Sequence, residues 1–307
     1  MGSAAGGRLN KTREVRVAVE LAILGAEGQV GRALTALACE KSIAHRVFGR
    51  AECDITDADA VKRAVAGSSI VVNCAAYTAV DRAEADQESA WRVNALGPQH
   101  IAEACTKAGL PLVHLSTDYV FDGESPRPAR EDDLPRPLNV YGRSKLAGEE
   151  KVRERLARHV ILRTSWVFSS HGANFVRTVL RLARSQPQLR IVADQIGGPT
   201  AADDVAKAIL EVARACEQPR FAAWGTYHFS GAPPVSWYEF ARAIVAKRGT
   251  PVVPISTKDF PTPARRHLNS VLDCSRILNV FGIPQPDWRP ALVSVCDALA
   301  ASYLANR

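Results

Sequence analysis

The stretch LAILGAEGQVG, residues 21–31, joins a short apolar run to three glycines in the spacing G-x-x-G-x-x-G and then opens a helical pattern. In that context Gly25, Gly28 and Gly31 permit a tight turn, the approach of backbone N–H groups to a pyrophosphate, and close packing of a helix on a strand. A glycine triplet can also be simple turn punctuation, but the flanking strand and helix favour a dinucleotide-binding turn. We expect Glu27 inside this turn to point to solvent, because a carboxylate beside phosphates is unfavourable.

Short apolar runs alternate with helical patterns through the first half of the chain. The predicted strands are LAIL, HRVFG, SIVVNCAA, LPLVHLS and HVILRTS, and the predicted helices lie at about 29–39, in DADAVKRAVAG, at about 88–107 and from Tyr141 onward. This order predicts an α/β fold with a Rossmann-type, doubly wound parallel sheet. Glu20 would be costly inside a strand buried on both faces, so we expect the first core strand to span residues 21–24.

The sequence pattern changes after Trp166. Helical patterns at about 173–185, 202–217, 236–248 and 290–304 are separated by irregular segments rich in proline and glycine. We therefore predict an NAD(P)-binding Rossmann domain over residues 19–170 and a smaller α/β substrate-binding part over 171–307, interleaved with the last elements of the first domain. Residues 1–18 are Gly/Ala-rich and then basic, which is typical of a disordered extension, and they lack the pattern of a signal peptide.

Composition excludes several classes of protein. Hydrophobic residues make up 47% and charged residues 23% of the 307, as in a globular protein, and no apolar run reaches the roughly 18 residues of a membrane span. The seven cysteines are scattered without a C-x-x-C pair, which favours reduced thiols and a cytoplasmic protein. The net charge of +7 is spread along the chain without a nucleic-acid-binding motif, so we expect a ligand with several phosphates rather than nucleic acid.

The choice between NADPH and NADH depends on the end of the second strand. Arg50 lies nineteen residues after Gly31, where an arginine suits the 2′-phosphate of NADP and a carboxylate suits the 2′-hydroxyl of NAD. Glu52 is close enough in sequence to supply the carboxylate that suits NAD, so this position does not decide the cofactor by itself. We expect NADPH as the cofactor, with NADH as the alternative.

Tyr141 precedes Lys145 by four residues in a helical pattern, so both side chains share one face. Taken alone, this pair is more typical of an aromatic ring packed on a lysine stem. Thr117, however, ends the fourth predicted strand, where ligands gather in parallel sheets, and it would face the same crevice. We expect the lysine to lower the pKa of the tyrosine, which would make its phenol a general acid for a newly reduced oxygen.

The glycine turn, the Tyr141–Lys145 pair and Thr117 together resemble the extended short-chain dehydrogenase/reductases. The strings NCAAYTAVDRAE, STDYVFDG, RTSWVF and DQIGGPT, in this order within about residues 21–292, are similar to the dTDP-4-dehydrorhamnose reductase family of that group. The resemblance implies reduction of a dTDP-linked 4-keto-6-deoxy sugar, dTDP-6-deoxy-L-lyxo-hexos-4-ulose, to dTDP-L-rhamnose by NAD(P)H. It also implies Tyr141 as proton donor, Lys145 as ribose clamp and Thr117 as a partner of the carbonyl oxygen; a homodimer is a further expectation.

The same resemblance implies two sets of binding residues. The cofactor set is Gly25, Gly28, Gln29, Val30, Gly31, Arg50, Asp54, Ile55, Ala75, Ala76, Tyr77, Thr78, Tyr141 and Lys145. The substrate set is Thr117, Asp118, Trp166, Asn174, Gln195 and Thr200. Two members have simpler alternatives, since Trp166 could be a plain core aromatic and Asp54 could be a helix N-cap.

The chain departs from the family pattern in two places and leaves other functions open. The first turn reads LGAEG where a threonine and an asparagine are common, and ARRHLNSVLD has His267 where proline usually follows the arginine, which leaves nucleotide contacts from Arg266 open. Some relatives use magnesium, but Asp203 and Asp204 suit a helix start, so we predict no metal.

Two alternative functions remain open. One is another sugar-nucleotide 4-ketoreductase or C4 epimerase, and the other is a regulatory subunit like that of methionine adenosyltransferase.

Overall fold

The structure is a computed structural model that describes residues 20–305, so the predicted extension, residues 1–18, lies outside the described residues. The strands are β1 Glu20–Leu24, β2 Ala44–Phe48, β3 Ile70–Asn73, β4 Leu112–Thr117, β5 His159–Thr164, β6 Val167–Phe168, β7 Leu189–Val192, β8 Ile196–Gly197, β9 Thr200–Ala201, β10 Gly225–His228, β11 Val235–Ser236 and β12 Val252–Ile255. The helices are α1 Gln29–Glu40, α2 Ala58–Val65, α3 Val80–Ala85, α4 Gln87–Trp91, α5 Gly97–Ala108, α6 Val140–Arg155, α7 Phe175–Ser185, α8 Ala202–Cys216, α9 Trp237–Val245, α10 Ser275–Phe281 and α11 Trp288–Ala305.

Six parallel strands form the main sheet in the order β10-β5-β4-β3-β1-β2. The chain leaves β1 for β2 on one side and then returns to β3 on the other side. A crevice opens at such a reversal, outside the carboxyl ends of the strands, and it is the usual ligand site of this architecture. The predicted doubly wound fold is confirmed.

The first strand alternates its side chains between two apolar layers. Leu21 and Ile23 pack in the layer that contains α1 and α8, whereas Ala22 and Leu24 pack in the layer that contains α2, α5 and α6. The strand begins at Glu20, one residue earlier than expected. This end position is tolerated because the Glu20 carboxylate is partly exposed and lies 2.8 Å from the Arg46 guanidinium.

A third apolar layer holds α7, α9 and α11 together around Phe168, Phe240 and Trp288. Three small two-stranded sheets border it: β12 with β7, β11 with β8, and β6 with β9. The main sheet nevertheless takes its edge strand β10 and its covering helix α8 from beyond residue 200. The division at residues 170 and 171 stays a prediction.

The long helix expected at about 88–107 is interrupted. One π-helical turn, Arg92–Leu96, joins α4 to α5, and Pro98 lies in the first turn of α5. A π turn bulges the backbone outward, and here the Asn94 carbonyl lies against α6 where Gly148 offers no side chain. Within residues 20–305, no helix combines the length and the apolar character that a membrane span requires.

Candidate active site

A cleft of about 700 Å³ lies at the carboxyl ends of β1, β3 and β4. It is bordered on one side by the glycine turn and on the other by the third apolar layer. The predicted site residues that line it are Gly25, Gly28, Gln29, Val30, Arg50, Asp54, Ile55, Ala75, Ala76, Tyr77, Thr78, Thr117, Asp118, Tyr141, Lys145, Trp166 and Asn174. The structure thus brings together residues that the sequence separates by about 150 positions.

The glycine turn has the form expected for a phosphate site. Gly25 has φ +76, and a Cβ there would lie 2.4 Å from the Ala75 backbone nitrogen, so only glycine fits. Gly31 does not line the cleft; a Cβ on it would lie 2.3 Å from the Gly25 carbonyl oxygen, so it serves the packing of α1 on β1. The N-cap of α1 is Gly28, which offers no side-chain cap, so the first-turn N–H groups are available to an anion. These residues fit a pyrophosphate.

The residues that follow β2 include both the arginine and the carboxylate that the sequence offered as opposing signals for cofactor choice. The Arg50 side chain is 83% exposed and its Nε lies 3.6 Å from Asp54 Oδ2. Glu52 Oε2 accepts a hydrogen bond from the Gly49 N–H at 2.8 Å, and Glu27 Oε2 accepts one from the Arg50 N–H at 3.5 Å. Glu27 is exposed as expected, but its carboxylate turns back toward Gly49 instead of standing free in solvent.

The alternative role of Asp54 as a helix cap is wrong. Asp57 caps α2, and Asp54 instead accepts hydrogen bonds from the Thr56 N–H at 2.9 Å and the Thr56 hydroxyl at 2.8 Å. The backbone hydrogen bond from Thr56 is the main reason that the pKa of Asp54 is lowered. Asp54 therefore stays a carboxylate at the edge of the cleft.

Tyr141 and Lys145 occupy the first two turns of α6, which begins at its cap Asn139. The Lys145 ammonium donates a hydrogen bond to the Leu115 carbonyl oxygen at 2.8 Å, and burial lowers the lysine pKa to about 8. Burial also raises the pKa of Tyr141, against the opposing effect of the Thr117 hydroxyl. The expected lowering of the tyrosine pKa by Lys145 is therefore wrong, because desolvation of the phenolate dominates. A phenol that holds its proton at neutral pH is suited to donate it.

The Thr117 hydroxyl belongs to a buried chain of polar groups. It donates to Asp118 Oδ1 at 2.9 Å, and Asp118 Oδ2 lies 3.1 Å from His267 Nε2. The side chains of Asp118 and His267 are only 3% and 5% exposed. Both oxygens of Asp118 are thus engaged within the protein, although the residue borders the cleft as predicted.

A buried ion pair that the sequence analysis missed lies one turn beyond Lys145. Glu149 accepts from Arg163 Nε at 2.9 Å and from Arg163 Nη2 at 2.7 Å, and Arg153 adds a third contact at 2.6 Å. Burial alone would raise the pKa of Glu149, but the two arginines outweigh it and hold the pKa at about 2. The resulting negative charge favours the ammonium form of Lys145. An arginine inside the apolar strand HVILRTS was the available signal for a buried carboxylate partner.

The backbone of Trp166 has an unfavourable conformation. Its φ is +47, a left-handed value that is costly for a bulky residue. Its indole stacks on Trp237, which also lines the cleft and opens α9. Trp166 is therefore not a plain core aromatic, since it forms part of the wall of the cleft. Trp237 was missed by the sequence analysis, because nothing in its local pattern distinguishes it from a core residue.

Three predicted substrate residues lie differently from expectation. Asn174 borders the cleft, but its side chain caps α7 through the Arg177 N–H and donates to Gln29 Oε1 at 2.9 Å. Gln195 does not reach the cleft, because its amide donates to the Thr257 hydroxyl at 3.0 Å. Thr200 is fully buried, and its hydroxyl ties together the backbones of Gly198 and Gly231. Neither Gln195 nor Thr200 lines the cleft, and their role in substrate binding stays a prediction.

Asp203 and Asp204 lie in the first turn of α8, and Asp204 pairs with Lys207 at 2.9 Å. Among residues 20–305, no group of three His, Cys, Asp or Glu side chains is arranged to hold a metal ion. Arg266 pairs with Asp81 at 2.8 Å and does not line the cleft.

The fold, the glycine turn and the Tyr141–Lys145 pair beside Thr117 define a Rossmann-type oxidoreductase of the short-chain dehydrogenase/reductase kind. Comparison with known proteins makes the assignment narrower. A model of the RmlD substrate binding domain family matches residues 19–301. The dTDP-4-dehydrorhamnose reductase of Aggregatibacter actinomycetemcomitans is 42% identical over 287 residues, which cover 90% of this chain and 97% of that protein.

Two solved structures agree with this. The dTDP-4-dehydrorhamnose reductase of Bacillus anthracis, in complex with NADP, superposes with a TM-score of 0.84 at 35% identity and covers 90% of this chain and 98% of its own. A dTDP-4-dehydrorhamnose reductase from Clostridium acetobutylicum gives 0.86 at 34% identity, with 92% and 100% covered. The chain belongs to the dTDP-4-dehydrorhamnose reductase family, and the resemblance stated from the sequence is confirmed.

Proposed function

We propose that the protein reduces the 4-keto group of dTDP-6-deoxy-L-lyxo-hexos-4-ulose with NADPH and so forms dTDP-L-rhamnose. The observation that carries the proposal is the convergence of Tyr141, Thr117 and Lys145 on one cleft that also contains the glycine turn. A phosphate site and a proton donor in a single cleft are the two components that a nicotinamide-dependent ketone reduction needs.

The cofactor is held by groups on the glycine-turn side of the cleft. The uncapped N–H groups at the start of α1 bind the pyrophosphate, and Lys145 binds the nicotinamide ribose. The exposed guanidinium of Arg50 borders the cleft and is proposed to pair with a 2′-phosphate, which favours NADPH over NADH. When bound, the nicotinamide supplies the hydride, and the remaining chemistry belongs to the protein.

Tyr141 supplies the proton. Its phenol is buried and keeps its hydrogen at neutral pH, so it can donate to the oxygen that becomes negative as the ketone is reduced. Thr117 adds a second hydrogen bond to the same oxygen. Both groups act most strongly when charge develops on that oxygen, so they lower the barrier more than they tighten substrate binding.

The sugar nucleotide lies on the other side of the cleft. Trp166 and Trp237 form an apolar wall there, and such a wall suits the flat base or the deoxygenated face of the sugar. We also propose a cytoplasmic location, which the seven free thiols support. The homodimer stays a prediction.

The experiment that tests the function uses the purified full chain. It is incubated with dTDP-glucose, the two preceding enzymes of the pathway and NADPH, and the sugar nucleotide formed is identified by NMR. We expect dTDP-L-rhamnose, formed in step with the loss of NADPH absorbance. A product with the other configuration at C4, or no loss of NADPH while the 4-keto sugar persists, would contradict the proposal.

A further inference from the structure

His267 is the least expected member of the buried polar chain. In the sequence it is only a departure from the pattern of related chains. In the structure its Nε2 lies 3.1 Å from Asp118 Oδ2, and the side chain is 5% exposed. A carboxylate has no proton to give, so the imidazole Nε2–H is the donor in this contact.

The side chain of His267 is held on two sides. The Tyr119 ring meets it edge to face, with centroids 4.7 Å apart. On another side Gly123 passes so closely that a Cβ there would lie 2.5 Å from His267 Cβ. The two preceding residues are anchored as well, since Asn139, the cap of α6, donates to the Arg265 carbonyl oxygen and Arg266 pairs with Asp81. The imidazole is therefore fixed relative to the helix that carries Tyr141.

The contact matters because Asp118 competes for the hydrogen of Thr117. The Thr117 hydroxyl donates to Asp118 Oδ1 at 2.9 Å, whereas the proposed reaction needs this hydrogen on the ketone oxygen. A carboxylate with one oxygen already bonded to an N–H donor is a weaker acceptor at its other oxygen. Donation from His267 thus loosens the hold of Asp118 on the Thr117 hydrogen.

We propose that His267 is a positioning residue of this active site, which acts through Asp118 to leave the Thr117 hydroxyl available to the oxygen under reduction. The inference rests on the proposed reductase function. It gives this chain a residue that contacts neither cofactor nor substrate and still affects the chemical step.

The test is a double-mutant cycle on the rate of single-turnover hydride transfer, measured from NADPH absorbance with the 4-keto sugar saturating. Loss of one hydrogen bond to a charged group predicts that His267→Leu slows the step about tenfold, with little change in the Kd for NADPH. In an Asp118→Asn background the same change should cost less than about twofold, because the carboxylate through which His267 acts is gone. His267→Gln, which keeps an N–H donor, should recover most of the wild-type rate.

His45→Leu serves as the matched control, because it removes a partly buried imidazole of β2 that does not line the cleft. The proposal is overturned if His267→Leu stays within twofold of wild type, if its effect is the same with and without the Asp118 carboxylate, or if His267→Gln is as slow as His267→Leu. Failure of the reductase function itself would look different, since the wild-type chain would then not oxidise NADPH with this sugar at all.

Discussion

The indole of Trp166 lies face to face on the indole of Trp237, with ring centroids 3.3 Å apart and planes 5° from parallel. Phe175 packs against Trp237 from another direction, with centroids 4.4 Å apart. Because Trp166 also carries a left-handed backbone, the position of its ring is set by both main chain and neighbour. The stack is thus a rigid wall for the sugar nucleotide.

Removal of either indole should weaken binding of the sugar nucleotide and leave binding of NADPH unchanged. Trp166→Ala should raise the Kd for dTDP-L-rhamnose about tenfold or more, and Trp237→Ala should raise it about threefold to tenfold because the remaining indole loses its support. Calorimetry with dTDP-L-rhamnose and, separately, NADPH measures both. Trp91→Ala is the control, since Trp91 is an exposed indole on α4 that does not line the cleft. Unchanged sugar affinity in folded Trp166 and Trp237 variants would remove this wall from the substrate site.

Arg50 is expected to select the cofactor. Arg50→Ala should raise KM for NADPH about tenfold and KM for NADH less than twofold, because only NADPH presents a 2′-phosphate to the guanidinium. Steady-state kinetics with both cofactors tests this, with Arg214→Ala on α8 as a matched surface control. Equal changes in both KM values would place Arg50 outside the 2′ site.

Tyr141→Phe removes one hydroxyl and keeps the ring that packs beside Tyr119. If the phenol is the proton donor, the rate of hydride transfer should fall on the order of 10²–10⁴, while KM for the sugar moves much less. Single-turnover loss of NADPH absorbance measures the step. A Phe variant within about threefold of wild type would show that Tyr141 is a packing residue only.

Local patterns were sufficient for five of the six strands of the main sheet and for most helices around them. Each strand is a short apolar run, and each helix shows a 3.6-residue period, so both signals lie within a few residues. The strand Gly225–His228 was missed, because GTYH is short and its place beside β5 depends on a partner more than sixty residues away. The π turn at Arg92–Leu96 was also missed, since its reason is the contact of Asn94 with α6.

Some residues of the candidate site could also be predicted from local sequence patterns, and others could not. The strings that contain Tyr141, Lys145 and Thr117 located the cleft, because strand ends and helix starts converge there in any parallel sheet. The direction of a side chain in the irregular second half of the chain is decided by its partners, and Gln195 and Thr200 bond within the protein. The pairing of Asp118 with His267 joins residues 149 positions apart and could not be read from either string.

The Glu149–Arg163 pair should make the protein sensitive to acid. The folded-state pKa of Glu149, about 2, lies below its ordinary value of 4.5, so its stabilising effect is present above pH 4.5 and is lost as the pH falls toward 2. The shift corresponds to about 3 kcal/mol in the free energy of unfolding. Urea unfolding between pH 7 and pH 3 should show more than half of this loss in the wild type.

In Glu149→Gln that part of the pH dependence should be absent, and the variant should be less stable at pH 7 because Arg163 loses its buried counter-charge. Glu154→Gln is the matched control, since Glu154 lies on the same helix and is largely exposed. A Glu149→Gln protein with the acid profile of the wild type would show that other carboxylates govern acid unfolding.

The late origin of β10 and α8 has a consequence for synthesis on the ribosome. A nascent chain of about 170 residues already contains five strands of the main sheet, but α8 and the edge strand β10 have not yet been made. The face on which Val205, Ile209 and Val212 later pack stays open during that interval, and exposed apolar faces of this kind invite aggregation and chaperone binding. The nucleotide-binding half can therefore complete its fold only after residue 228 has left the exit tunnel. A chain truncated before that residue cannot complete its main sheet.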